Sequence, residues 1–423
     1  MGFSRQDVDA LTSRGPGWLT ERRLAAWDLA EKLELPREKD EPWRYTDLPR
    51  LGFELDAFSA RPPTDAAAEA ADLPDGRSGL LAESTGAAPR RALDPALEAK
   101  GVLLTDLATA LKEHAGLLEP RLLVEAHASD NIFAALHGAM ASGGTFLYVP
   151  RGLTVPLPIE SRQHVDAPDG SAFPHTVVVV EDDAEVVFLE RYQSPDGSAA
   201  LVDAGLDVFA GDRSRVRVVT LQEHGDRTWH FQTQRTHTGR DASLQSLVVT
   251  LGGRFSRSVV ETAIRGEHGS VEMLGLYFAE RGQHFDFRTL QDHVAPASMS
   301  DLLYKGALRD HSHTVYSGLI RVNEGAAKTD AYQANRNLVL SDEAKADSKP
   351  ELEILNNDVR CTHGSTVGQI SDDELFYLQC RGIRRHDAER LIVKGFFEDV
   401  IDRLSNAEVK ALLEDAIEQK IGA

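Results

Sequence analysis

The sequence predicts a mainly β fold: a parallel β-helix of stacked coils, flanked by helical regions at both ends. From about residue 144 to 368, short β-branched runs are separated by Gly, Asp and Asn, with hardly a helical period among them. Four segments in that stretch run from a turn of small and acidic residues into a strand: EDDAEVVFLER from Glu181, AGDRSRVRVVTL from Ala210, GRDASLQSLVVTL from Gly239 and GEHGSVEMLGLYF from Gly266. Val186, Val216, Leu244 and Val271 take the matching place, at spacings of 30, 28 and 27 residues, and a weak repeat of this length is what one solenoid leaves in sequence. Regular strand spacing alone also fits a β-sandwich. A strand-rich run this long without a helix favours the open-ended stack, whose ends and edges must then be capped or paired.

The N-terminal region, 1–143, opens with helical signals at 7–11 and 20–33, the second carrying Leu24, Trp27, Leu29 and Leu33 on one face and stopped by Pro36. EPWRYTDLPRL, from Glu41, sets two aromatics around Arg44 between prolines and reads as a docking turn. Residues 57–97 are rich in Ala, Pro, Asp and Gly and read as a linker-like insert. Amphipathic stretches at 106–114 and 131–141 precede the Gly143-Gly144 breaker, and the β-helix core is placed at 144–368. The C-terminal helical domain, 369–423, starts at a capping box from Ser371 to Glu374, with Gly382 ending the first helix. A second helix, 387–404, carries the apolar stripe Ala388, Leu391, Ile392, Phe396, Val400 and Leu404, and a capping box from Ser405 to Glu408 opens a third. These helices read as the cap of the solenoid's end and, taken as a surface, as a docking site for a partner.

Composition removes several function classes. Acidic residues outnumber basic ones by 67 to 46, and the net charge of −21 repels phosphate backbones and anionic lipids. Neither nucleic acid nor membrane is expected as a partner. The N-terminus lacks a basic region followed by an apolar run, and two cysteines make no disulfide framework, so a cytoplasmic protein is expected. GxxxxGK[ST], GxGxxG after a strand and HExxH are all missing, so no nucleotide should bind directly.

Chemistry concentrates at CTHGSTVG, residues 361–368. Residues two apart on a strand share a face, so the Cys361 thiol and the His363 imidazole project side by side. Such a pair suits iron, zinc or an iron–sulfur cluster, yet two ligands do not close a four-coordinate site, and the rest must come from elsewhere. The alternative is a buried cysteine and a hydrogen-bonded histidine at a strand end. His284, His293, His311 and His313 share a short window with Asp286, Asp292, Asp301 and Asp310. That window reads either as a metal or catalytic cluster or, since nothing fixes a ligand spacing, as a polar ladder on the solenoid. Cys380 reads as packed and inert within its helix.

The segments KGALRDHSHTVYSGLIRV, AAKTDAYQANRNLVLSDEAKADSKPELEILNNDVRCTHGSTVG and DDELFYLQCRGI together resemble the SufB/SufD family of iron–sulfur cluster assembly proteins. Weaker similarity extends through HFDFRTLQDHVAPAS, and EPWRYTDL also fits. The CTHGSTVG form, in place of an acidic EHEA-type segment, and the shorter chain point to the SufD branch. This resemblance implies a right-handed β-helix between helical domains, acting as a non-catalytic scaffold subunit. It implies a SufB-like paralogue as partner, a SufC-like ABC ATPase bound through the C-terminal helices, and a transient iron–sulfur cluster assembled where the two paralogues meet. Carried onto this chain, His363 is the leading interface ligand and Cys361 the second, with Leu391, Phe396 and Val400 as the ATPase-docking side chains. A SufB-like homodimeric scaffold is the near rival. A polysaccharide-processing β-helix enzyme using the 284–313 window is the distant one, and the missing secretion signal speaks against it.

Overall fold

The computed structural model describes residues 2–13, 15–60, 66–124, 131–166 and 168–422. From Glu185 onward each coil contributes one strand to each of two parallel sheets. One sheet, eleven-stranded among the described residues, runs through Glu185–Gln193, Arg215–Glu223, Ser243–Thr250, Ser270–Ala279, Met299–Leu308, Thr329–Val339 and Val359–Gln369. The other, ten-stranded, runs through Ala200–Ala210, Thr228–Thr238, Phe255–Ile264, His284–His293, His313–Val322 and Lys345–Ile354. The sequence repeat is the coil itself: Val186 pairs with Val216, Val216 with Leu244 and Leu244 with Val271, and all four are buried. At one corner of successive coils a single residue takes the left-handed conformation, as Asp183, Arg213, Asp241 and His268 do, with φ of 62°, 58°, 55° and 61°. The N–H of Asp183 donates to Asp212 O and that of Arg213 to Arg240 O, so each corner is tied to the next.

The space between the sheets is only partly apolar. Val186, Val218, Phe285, Phe287 and Tyr304 form its hydrophobic part. Other inward positions carry buried polar groups, several of which pair with one another across the interior while others, among them Gln291 Oε1 and Gln333 Oε1, have no partner among the described residues. Gln234 donates to Ser246 Oγ at 2.7 Å, Gln291 to Ser300 Oγ at 2.7 Å, and His293 lies 2.7 Å and 2.8 Å from Ser298 and Ser300. Two tyrosines interlock with two glycines: Tyr277 is in register with Gly306 and Tyr304 with Gly275, and each ring occupies the place where the opposite glycine has no side chain.

The N-terminal region covers the outer face of the ten-stranded sheet. Helices Arg5–Thr12, Gly17–Ala30 and Ile132–Met140 join Trp43 and Phe53 in packing onto Trp229, Phe231 and Phe255. The docking turn holds: the Arg257 guanidinium sits 3.7 Å over the Trp43 ring, and Thr46 donates to Asp286 at 2.8 Å. The linker-like reading of 57–97 is overturned, because strand Gly79–Ser84 buries Leu80 and Leu81. It pairs in parallel with Ile159–His164 and antiparallel with Arg90–Leu93. A short strand of mostly small residues gains its burial from a partner distant in sequence, which local composition does not register.

The C-terminal helices are Asp372–Cys380, Arg385–Ile401 and Ala407–Gly422. They do not cap the end, as the sequence had led us to expect; the last two lie along the outer side of the eleven-stranded sheet. Val393, Phe397, Val400, Leu413 and Ile417 pack there against Leu221, Val249, Leu276, Phe278 and Leu303. The physical reason lies in the strands, whose outward residues are as apolar as their inward ones and therefore need lateral cover. Ion pairs pin the helices in place: Lys305 with Asp399, Arg403 with Asp301 at 2.8 Å, and Lys420 with Glu280 at 2.7 Å. Asn406, not Ser405, caps the last helix, accepting the Val409 N–H at 2.9 Å. No helix among the described residues is long and apolar enough to cross a membrane.

Candidate functional site

Lys345–Ile354 and Val359–Gln369 are the terminal strands of their sheets. What would be interior in any earlier coil is therefore the surface of the last one. Cys361, His363, Ser365 and Val367 stand in register on Ala331, Gln333, Asn335 and Asn337, all four of which are buried. Ser348, Pro350, Leu352 and Ile354 similarly continue the inward rows through Tyr316, Gly318, Ile320 and Val322. Leu352, Ile354, Leu355 and Val367 are 37%, 41%, 53% and 49% exposed, an apolar patch of the kind that marks an interaction surface.

The structure brings Cys361 and His363 to one face, as strand alternation requires, but at different depths. Cys361 is half-buried against Ile320, Val322, Ala326 and Ala331, while His363 is exposed. Burial, reinforced by the nearby Asp330 carboxylate, pushes the Cys361 thiol up. The thiolate is the form that binds metals, and burial here favours the thiol. Among the described residues no group of three or more His, Cys, Asp and Glu side chains is arranged to hold a metal.

The other predicted residues disperse. Val400 is fully buried between its helix and the sheet, Phe396 is half-buried with its ring 4.5 Å from the Lys305 ammonium, and Leu391 is 51% exposed. The helix turns Val393, Phe397 and Val400 to the sheet, so the stripe read from sequence mixes two faces. Helix Asp372–Cys380 buries only Leu375 and exposes Phe376, Tyr377 and also Cys380, which is not packed. In the histidine window, His284 lies under Thr46 on the outer face, and His293 points inward to Ser298 and Ser300. His313 meets Asp347 at 2.7 Å. The His284 and His313 rings meet edge to face, with centroids 4.7 Å apart, but His293 faces the interior, so the window does not gather into one cluster. Sequence reading missed the apolar end face and the polar side chains beneath it; carrying the coil repeat one step further, from Ala331 to Cys361, would have exposed both.

Two family models match the chain: the SufBD protein N-terminal region over residues 3–160, and the SUF system FeS cluster assembly SufBD core domain over 163–396. The chain is 28% identical to the iron–sulfur cluster assembly protein SufD of Bacillus subtilis (strain 168), across 96% of this chain and 94% of that protein. It is 33% identical to an iron–sulfur cluster assembly SufBD family protein of Mycobacterium tuberculosis, across 94% and 92%. With two stacked sheets, helices at both ends and both family models matched in order, the chain belongs to the SufBD family of iron–sulfur cluster assembly proteins.

Proposed function

We propose that this chain is the SufD-like scaffold subunit of a SUF complex, working in the cytoplasm and catalysing no reaction of its own. Its open solenoid end pairs with a SufB-like paralogue, and its C-terminal helices carry a SufC-like ABC ATPase. A nascent iron–sulfur cluster, which is cargo here, is built where the paralogues meet and is passed to apo-proteins. The observation that carries this reading is the uncovered last coil, whose two terminal strands leave an imidazole and several large apolar side chains exposed. His363 supplies a ligand from this side, Cys361 a second once its proton is lost, and the partner supplies the rest.

In the assembled complex, His363→Ala should leave folding and assembly intact while lowering iron and sulfide content several-fold after anaerobic reconstitution. Cys361→Ser should have a smaller effect in the same direction. Normal cluster content in the double variant, with the complex still assembled, would sink the ligand assignment. Copurification decides against the homodimeric SufB-like alternative: a larger paralogue and an ATPase should come down with the tagged chain.

ATPase docking is assigned to the exposed side chains Phe376, Tyr377 and Leu391. Leu391→Glu and Phe376→Glu should each weaken ATPase capture tenfold or more, about 1.4 kcal/mol per decade, without a change in circular dichroism. Val400→Glu should instead unfold the helical layer. Undiminished capture by the Leu391→Glu, Phe376→Glu double variant rules out this surface.

A further inference from the structure

A ligating imidazole is held by what its other ring nitrogen donates to, because that hydrogen bond selects the tautomer and fixes the ring's orientation. The side chain in register with His363 on the preceding strand is Gln333, which is fully buried. Neighbouring strands lie about 4.8 Å apart, and register partners project to the same face, so the Gln333 side chain leaves the backbone one strand spacing beneath that of His363. Gln333 Nε2 reaches across the interior and donates to Gly318 O at 3.2 Å. Gly318 leaves the slot for it: a Cβ there would lie 2.5 Å from that nitrogen and would strike the Tyr316 hydroxyl. A carbonyl only accepts, so the amide cannot be turned over, and its oxygen is obliged to be an acceptor. That oxygen, Gln333 Oε1, is buried and receives no hydrogen bond within the chain, an arrangement folded proteins rarely keep without a use for it.

We propose that Gln333 is the positioning residue for His363: the exposed ring turns until the N–H of one nitrogen donates to Oε1, a bond this structure leaves unmade, and the lone pair of the other nitrogen then faces the open end. This rests on the reading of His363 as an interface ligand and adds what aims it. Cys361 has no such support, since it stands on Ala331, and the two ligands therefore differ in preorganisation.

The test uses the full-length chain with ring-¹⁵N-labelled histidine and reads the two ring shifts of His363 with no iron or sulfide present. A single fixed tautomer is expected in the unaltered chain. Gln333→Met, close in volume but without an acceptor, should give the averaged shifts of a free imidazole, and Gln333→Glu, which keeps an acceptor oxygen, should restore the fixed tautomer. Averaged shifts in the unaltered chain overturn the proposal before any variant is needed. So does a fixed tautomer that survives in Gln333→Met. Because the tautomer is read without the cluster, a failure of Gln333 appears here, whereas a failure of the ligand reading appears only in reconstitution of His363→Ala.

Discussion

Gly306→Ala should cost the folded chain about 3 kcal/mol, the upper end of what overpacking a core normally exacts. In an open strand the same change would be mildly favourable, since alanine restricts the unfolded chain more than glycine does. Here the new methyl would land inside the Tyr277 ring, which is fully buried and cannot withdraw. Gly275→Ala, against Tyr304, should behave alike. Guanidinium unfolding followed by near-ultraviolet circular dichroism reads the loss, and Gly364→Ala, where a Cβ would meet nothing within 4 Å, is the control. Tyr277→Ala combined with Gly306→Ala should cost less than the sum of the two singles, as coupled neighbours do. A Gly306→Ala midpoint equal to that of the unaltered chain would falsify the interlock.

Stability should also fall steeply on the acid side of neutrality. Burial pushes His137 and His284 down to about 3, His230 and His293 down to about 4, and His224 well below its ordinary value. An unfolded imidazole titrates near 6.5, so below that pH the unfolded state binds protons that the folded state refuses. The contribution is whole above about 6.5 and is lost as pH falls toward 4 and then 3. Glu83 and Glu190 act in the opposite sense: burial pushes both up to about 7, so their contribution is present below about 4.5 and is lost as pH rises through 7. Burial also pushes His313 down and Asp203 up, so six imidazoles oppose three carboxyls, each worth at most about 1.4 kcal/mol per pH unit. The unfolding free energy read from denaturant curves should therefore peak near pH 6.5 and drop by several kcal/mol, on the order of the net proton uptake, by pH 4.5. His293→Gln should flatten that slope by about one proton, and a midpoint constant between pH 6.5 and 4.5 would refute the account.

The repeat was legible because inward Val186, Val216, Leu244 and Val271 sit at one apolar register position in consecutive coils. That Cys361 and His363 share a face was legible for a similarly local reason, the two-residue period of one strand. Features set by distant partners were not. Gly79–Ser84 is a strand only because Ile159–His164 lies beside it. Arg385–Ile401 carries apolar residues on more than one face, and only the sheet decides that Phe397 is buried and Leu391 exposed. The polar interior was also hidden, because Gln234, Gln291 and Gln333 at inward positions break the alternation by which a buried face is read.

The two ends of the solenoid differ in strand polarity, and this limits how far it can polymerise. At its start, Leu103–Asp106 runs antiparallel to Thr145–Val149, and Arg90–Leu93 runs antiparallel to Gly79–Ser84. The edge strands there, Glu69–Ala70 and Leu103–Asp106, run opposite to the stack, so a terminal coil arriving from another molecule cannot continue it in parallel. The last coil keeps the polarity of the stack, and two such ends brought face to face consume one another. An assembly built through this end would therefore be finite: it would close at two solenoids with a single junction.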